Sequence, residues 1–205
     1  LKGRKVGTPA GTSGQYALAR YLAFAGLQRG DVTEINLAPG DLIGALSRGD
    51  IDAFSWTAQA AQAALRQTGG KARLLRQDGY EAFFRSHQLL LVNDATFDKQ
   101  RPLVDGVVRA LLDAEQRIAT DPAWPELISP RLKIPADEIR QATTSVFEFQ
   151  SRFDEAFLDD LVTHARWAIE TGLSKPPPGE LRELFRSVLA ETPLKAVAPG
   201  RVTLA

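Results

Sequence analysis

Lys5-Val6-Gly7-Thr8-Pro9-Ala10-Gly11-Thr12-Ser13-Gly14 is the stretch on which the fold of this chain turns. Val6 to Thr8 reads as a short strand, and Pro9 to Ser13 as a loop of turn-forming and hydroxyl residues. From Gly14 to Leu27, Tyr16, Ala17, Leu18, Tyr21, Leu22 and Ala25 recur at helical spacing, and Gly26 or Gly30 ends the helix. A strand feeding a helix through such a loop presents the helix's unbonded first amides at the strand's C-terminal end.

Outward from this unit the pattern repeats. Val32 to Leu37 alternates as a strand does, and Pro39-Gly40-Asp41 opens a helix over Asp41 to Arg48. Ile51 to Ser55 is a third strand, Ala58 to Thr68 a third helix stopped by Gly69-Gly70, and Ala72 to Leu75 a fourth strand. Strands alternating with helices predict an α/β fold with a parallel sheet. Right-handed crossovers align the strands' C-terminal ends along one edge, where open α/β sheets bind ligands. The Thr8–Ser13 loop and Trp56 both fall at that edge.

From about residue 86 the texture changes. Gln88 to Asn93 reads as a buried strand, and Leu103 to Ala119, Ala136 to Thr144, Phe153 to Thr171 and Glu180 to Ala190 as helices. Pro122, Pro125 and Pro130 mark short helical turns, Val146 to Phe149 an extended segment, and Thr192 to Ala205 an extended tail.

Composition narrows the function. Among 205 residues, 25 Lys and Arg balance 25 Asp and Glu, so no basic surplus points to nucleic acid or a membrane surface. No apolar run approaches the ~20 residues of a membrane helix. The chain has no cysteine and two histidines, His87 and His164, which removes thiolate chemistry and disulfides and leaves no metal site or cofactor to expect. It has no methionine either, and opens Leu1-Lys2-Gly3, as a processed product or a fragment does.

The string Leu1-Lys2-Gly3-Arg4-Lys5-Val6-Gly7, then Gly11-Thr12-Ser13, Ala25-Gly26-Leu27, Asp31-Val32 and Leu46 to Ala53 resembles the substrate-binding proteins of ABC importers for sulfonates, taurine and nitrate, the SsuA/TauA/NMT1-like family. The resemblance is good over residues 1–95 and looser beyond. It implies a type II periplasmic-binding-protein-like fold, with two lobes that trap a ligand between them. In that frame residues 1–86 form a complete α/β second lobe, and 87–205 the returning, mostly helical part of a first lobe whose N-terminal half is absent. The implied role is solute binding without catalysis: a small, sulfonate-like oxyanion held in the inter-lobe cleft. The implied partner is a membrane ABC permease, and the implied location periplasmic or lipid-anchored at the outer face of the membrane. Two rival readings share the fold: a pyrimidine-synthesising enzyme of thiamine metabolism, and the effector-binding domain of a transcription regulator. The first resembles a branch with a cysteine-rich motif, which this chain lacks, and the second needs an upstream DNA-binding helix pair.

The candidate ligand residues are Thr8, Thr12, Ser13, Gly14, Trp56 and Thr57. A helix cap and an anion receptor need the same hydroxyls and amides, so Thr12, Ser13 and Gly14 fit either. Trp56 fits either a core or the wall of a cleft. Many relatives carry an acidic residue just after the tryptophan; here Thr57, Ala58 and Gln59 follow, which disfavours a ligand ammonium. His87 reads as a surface residue, His164 as structural, and Asp159-Asp160 as part of a solvated helix face. There is no G-x-S-x-G elbow, and Gly11 to Gly14 lacks the lysine of a phosphate loop.

Overall fold

A computed structural model describes residues 1–205 apart from 76, 77, 80–83, 146 and 205. The chain divides into two compact units, Leu1–Ser86 with Trp167–Lys175, and His87–Arg166 with Pro176–Ala205. Trp167–Lys175 thus belongs with the first unit, which a linear boundary at residue 86 does not include.

In the first unit, β1 (Lys5–Thr8), β2 (Thr33–Asn36) and β3 (Ala53–Phe54) form a parallel sheet in the order β2-β1-β3. Gly7 stands in register with Ile35 on one side and Phe54 on the other. The connections carry α1 (Ser13–Phe24) and α2 (Leu42–Arg48), and α3 (Ala58–Gln67) follows β3. Strand alternation decides the two faces. Val6 packs with Leu18 and Leu22 of α1 and with Val32 in a buried cluster. Gly7 faces the other way, where an added Cβ would lie 2.8 Å from Ile51 Cδ1 and 3.1 Å from Leu42 Cδ2. The absent side chain lets α2 and the chain before β3 close on the sheet.

The fourth strand predicted over residues 72–75 is not formed; these residues join no ladder among the described residues, and Leu74 is 48% exposed. A strand needs a ladder to join, and β3, only two residues long, offers none.

The second unit is helical. It holds α4 (Asp94–Lys99), α5 (Arg101–Thr120), α6 (Trp124–Leu132), α7 (Ala136–Ser145), α8 (Glu155–Glu170) up to Arg166, α9 (Leu181–Val188) and α10 (Glu191–Val197). Val104, Ile139, Phe157, Leu158, Val162 and Leu194 are buried in it. The buried strand predicted over Gln88 to Asn93 is not found: the segment is unpaired, and Leu91 is 83% exposed. Apolar residues on both faces suit a strand covered on both sides, and no strand of this unit's described residues pairs with it. Of the proline-marked turns, Pro122 is in a turn ahead of α6, while Pro125 sits in the first turn of α6, where no amide donor is needed, and Pro130 near its end. The predicted tail is instead α10, a 3-10 turn at Pro199–Arg201, and a parallel bridge from Val202 to Phe153. In the predicted 146–149 segment, Phe147 to Phe149 lack helix or strand, and Val146 lies outside the described residues.

His87 is half-buried rather than exposed. Its Nε2 lies 2.8 Å from Asp160 Oδ2, and its ring meets Phe157 edge-on at 5.0 Å. The neighbouring Asp159 pairs with Arg182, so both members of the acidic pair are engaged within this unit.

Candidate ligand site

Thr8 ends β1 with 1% exposure, and its Oγ1 meets no hydrogen-bond partner among the described residues. Buried hydroxyls are nearly always bonded, which singles this one out.

The loop that follows leads into α1. Ala10 N donates to Asn36 Oδ1 at 2.9 Å, and Gly11 N to Gln15 Oε1 at 2.8 Å. Thr12 is the residue before the helix, in extended conformation, yet its hydroxyl makes no cap. It donates backwards to Pro9 O at 2.6 Å. The first helical amides with acceptors are those of Gln15 and Tyr16, both on Thr12 O at 3.1 Å. The amides of Thr12, Ser13 and Gly14 meet no acceptor among the described residues, nor does the exposed Ser13 hydroxyl. No acidic residue lies in the first turn of α1. Three consecutive amides without an acceptor at the positive end of a helix are an arrangement that suits an anion.

β3 delivers the other wall. Ser55 N donates to Gly7 O at 3.0 Å, and Ser55 Oγ to Gly14 O at 2.9 Å. A Cβ on Gly14 would fall 2.7 Å from Trp56 Cε3, 3.0 Å from Ser55 O and 3.3 Å from Thr8 Oγ1. Thr8, Gly14, Ser55 and Trp56 therefore meet where β1 and β3 end, with the half-buried indole against the start of α1.

Of the six predicted residues, the structure gathers Thr8, Ser13, Gly14 and Trp56. Thr12 contributes its backbone, its hydroxyl being spent on Pro9. Thr57 caps α3, its Oγ1 accepting from Ala60 N at 3.2 Å.

Ser55, Gln15, Asn36 and Glu34 were missed. Asn36 had a signal, since it ends β2 opposite Thr8, the residue that ends β1. Gln15 had one too, as a polar residue inside the apolar run of α1; it is 6% exposed. Its Nε2 donates to Glu34 Oε2 at 2.9 Å, and Arg29 grips the same carboxylate through Nε at 2.8 Å and a terminal nitrogen at 3.0 Å.

A separate groove of about 420 Å³ lies beside α2, lined by Lys5, Ile35, Leu37, Asp41, Arg48 and Ile51 among others. It includes none of the predicted ligand residues. Among the described residues no group of His, Asp or Glu is placed to hold a metal ion.

Parallel strands flanked by helices, with helix amides and an indole at the strands' C-terminal ends, define a class: an α/β unit of the type II periplasmic-binding-protein fold. The chain belongs to the NMT1/THI5-like family, whose model matches residues 1–124. Three solved structures share the fold. The periplasmic aliphatic sulphonate binding protein SsuA of Escherichia coli matches with a TM-score of 0.68 and 21% identity, over 86% of this chain and 56% of that one. The alkanesulfonate-binding protein SsuA of Xanthomonas axonopodis pv. citri, bound to MOPS, gives 0.62 and 19%, over 100% and 64%. A putative periplasmic sulfonate-binding protein SsuA from Methylobacillus flagellatus KT gives 0.60 and 19%, over 99% and 63%. The chain thus spans 56% to 64% of the length of these structures. No curated protein matches it.

Proposed function

We propose that this chain is a solute-binding component of an ABC importer and holds a small organic oxyanion, sulfonate-like, at the start of α1. The observation that carries this reading is the uncapped run of amides at Thr12, Ser13 and Gly14 beside the orphan hydroxyl of Thr8. A sulfonate offers several acceptor oxygens and one charge, which suits several neutral donors backed by a helix end. Trp56 packs on the organic part of the ligand. Residues 57–59 supply no carboxylate, so a plain alkanesulfonate is favoured over an amine-bearing one such as taurine. The likeness to sulfonate-binding proteins supports the same ligand class.

The role is binding rather than catalysis. Its partner is a membrane permease, and its place is the periplasm, free or lipid-anchored. Among the described residues no helix is long and apolar enough to cross a membrane.

Melting temperature with alkanesulfonates, taurine, nitrate, carboxylates and pyrimidines tests the reading. A ligand at ~100 times its Kd adds about 2.7 kcal/mol of stability, so alkanesulfonates raise the melting point by several degrees. Ser13→Ala or Trp56→Ala abolishes the rise. No shift with any anion overturns the assignment.

A further inference from the structure

We infer that Gln15 is a positioning residue for the anion site: it takes the amide of Gly11 rather than that of Thr12, and so keeps the Thr12 amide free beside those of Ser13 and Gly14. The inference rests on the proposed site at the start of α1.

Thr12-Ser13-Gly14-Gln15 has the composition of a capping box, in which the first hydroxyl and the fourth side chain close on each other's backbone amides. Here neither closure is made. The Thr12 hydroxyl turns to Pro9 O, and Gln15 Oε1 reaches past Thr12 to the amide of Gly11. A completed box would consume the amides of Thr12 and Gln15 and leave those of Ser13 and Gly14 free in any case. Displaced by one residue, with the Gln15 amide on Thr12 O instead, it adds the Thr12 amide to that unspent run among the described residues.

What displaces it comes from β2. Gln15 is buried, and both ends of its amide are used: Oε1 on Gly11, Nε2 on Glu34. Glu34 is itself clamped by Arg29 through two guanidinium nitrogens, the strongest kind of side-chain pair. One residue earlier in the loop, Asn36 Oδ1 takes the amide of Ala10. Two polar side chains of the edge strand thus fix the loop before any ligand arrives, so ligand binding need not order it. Gln15 also has to be neutral. A glutamate there would face Glu34, and two carboxylates in contact resist joint ionisation.

Calorimetric titration of the full chain with ethanesulfonate, alongside amide exchange at Gly11 in the unliganded protein, tests the role. In Gln15→Leu the Kd rises at least tenfold and Gly11 exchange accelerates at least tenfold. Glu34→Gln keeps a side-chain oxygen for Gln15 Nε2 to donate to and adds no charge to the first turn of α1. It holds the Kd within threefold of the unaltered protein and keeps Gly11 protected, whereas Glu34→Leu, which offers no acceptor, loses both, a difference that loss of packing alone does not predict. A Gln15→Leu protein that binds within threefold of the original overturns the inference, as does a Glu34→Leu protein that behaves like Glu34→Gln. If the unaltered protein binds no ethanesulfonate, the anion site itself falls and the positioning role with it. The exchange result then still says whether the Gly11 tie exists.

Discussion

A hydroxyl shut away from water without a partner costs about 1–3 kcal/mol, and Thr8 carries that cost at the end of β1. The nearest features explain why the cost persists. Thr8 Oγ1 lies 3.3 Å from where a Gly14 side chain would begin, next to amides that are also unspent. Thr8→Val keeps the shape and removes the orphan. The unliganded protein then melts at the same temperature or higher, while the rise produced by ethanesulfonate shrinks by more than half. Both are read in one thermal-denaturation series. A full ligand response in Thr8→Val removes Thr8 from the site. The placement of Thr8, Ser13, Gly14 and Trp56 at one edge of the sheet was legible because strand and helix order brings them there. Ser55 was not, because its bond to Gly14 O joins residues 41 apart in sequence.

Among the elements, the start of α3 separates two roles that sequence could not. Thr57 Oγ1 accepts from Ala60 N and closes the helix end. Thr57→Ala therefore costs about 1 kcal/mol as a lost cap, lowering the melting point of the first unit while leaving the ethanesulfonate response intact. Unchanged melting with a lost response would return Thr57 to the ligand site. The helices of both units were largely readable, since a 3.6-residue period shows in the chain itself. Strands were readable only where two of them meet. Val6 to Thr8 finds β2 and β3, whereas Leu89 to Val92, more apolar than β1, finds no ladder and stays exposed. Strand propensity records fitness for a pleated, covered surface, and a single chain segment does not carry its cover. Residues 192–205 failed in the opposite sense: α10 is short, with Pro193 early in it, and its neighbours come from far up the chain.

Across the whole molecule, two units with separate cores give two places where stability can be altered. In the second unit the C-terminal residues are tied to α5 through Glu115. Its carboxylate accepts from Ser151 N at 2.7 Å and from the Ser151 hydroxyl, and pairs with Arg201. Phe153 N donates to Arg201 O and Thr203 N to Phe153 O, each at 2.8 Å, so one carboxylate anchors the junction of three segments. Burial alone would push the Glu115 carboxyl up, but Ser151 and Arg201 outweigh it and hold the group below the ordinary glutamate value of 4.5. A carboxyl depressed in the folded state contributes stability above its unfolded pKa and loses it as pH falls through the folded one. Glu115→Gln keeps the shape and removes the charge. At neutral pH it destabilises the second unit by about 1–3 kcal/mol. The gap between variant and original closes as pH drops below 4.5, because protonation brings the original to the same uncharged state. Scanning calorimetry from neutral pH into that acid range reads the gap directly. A difference that stays constant would mean that packing around Glu115, rather than its charge, holds the C-terminal residues to α5.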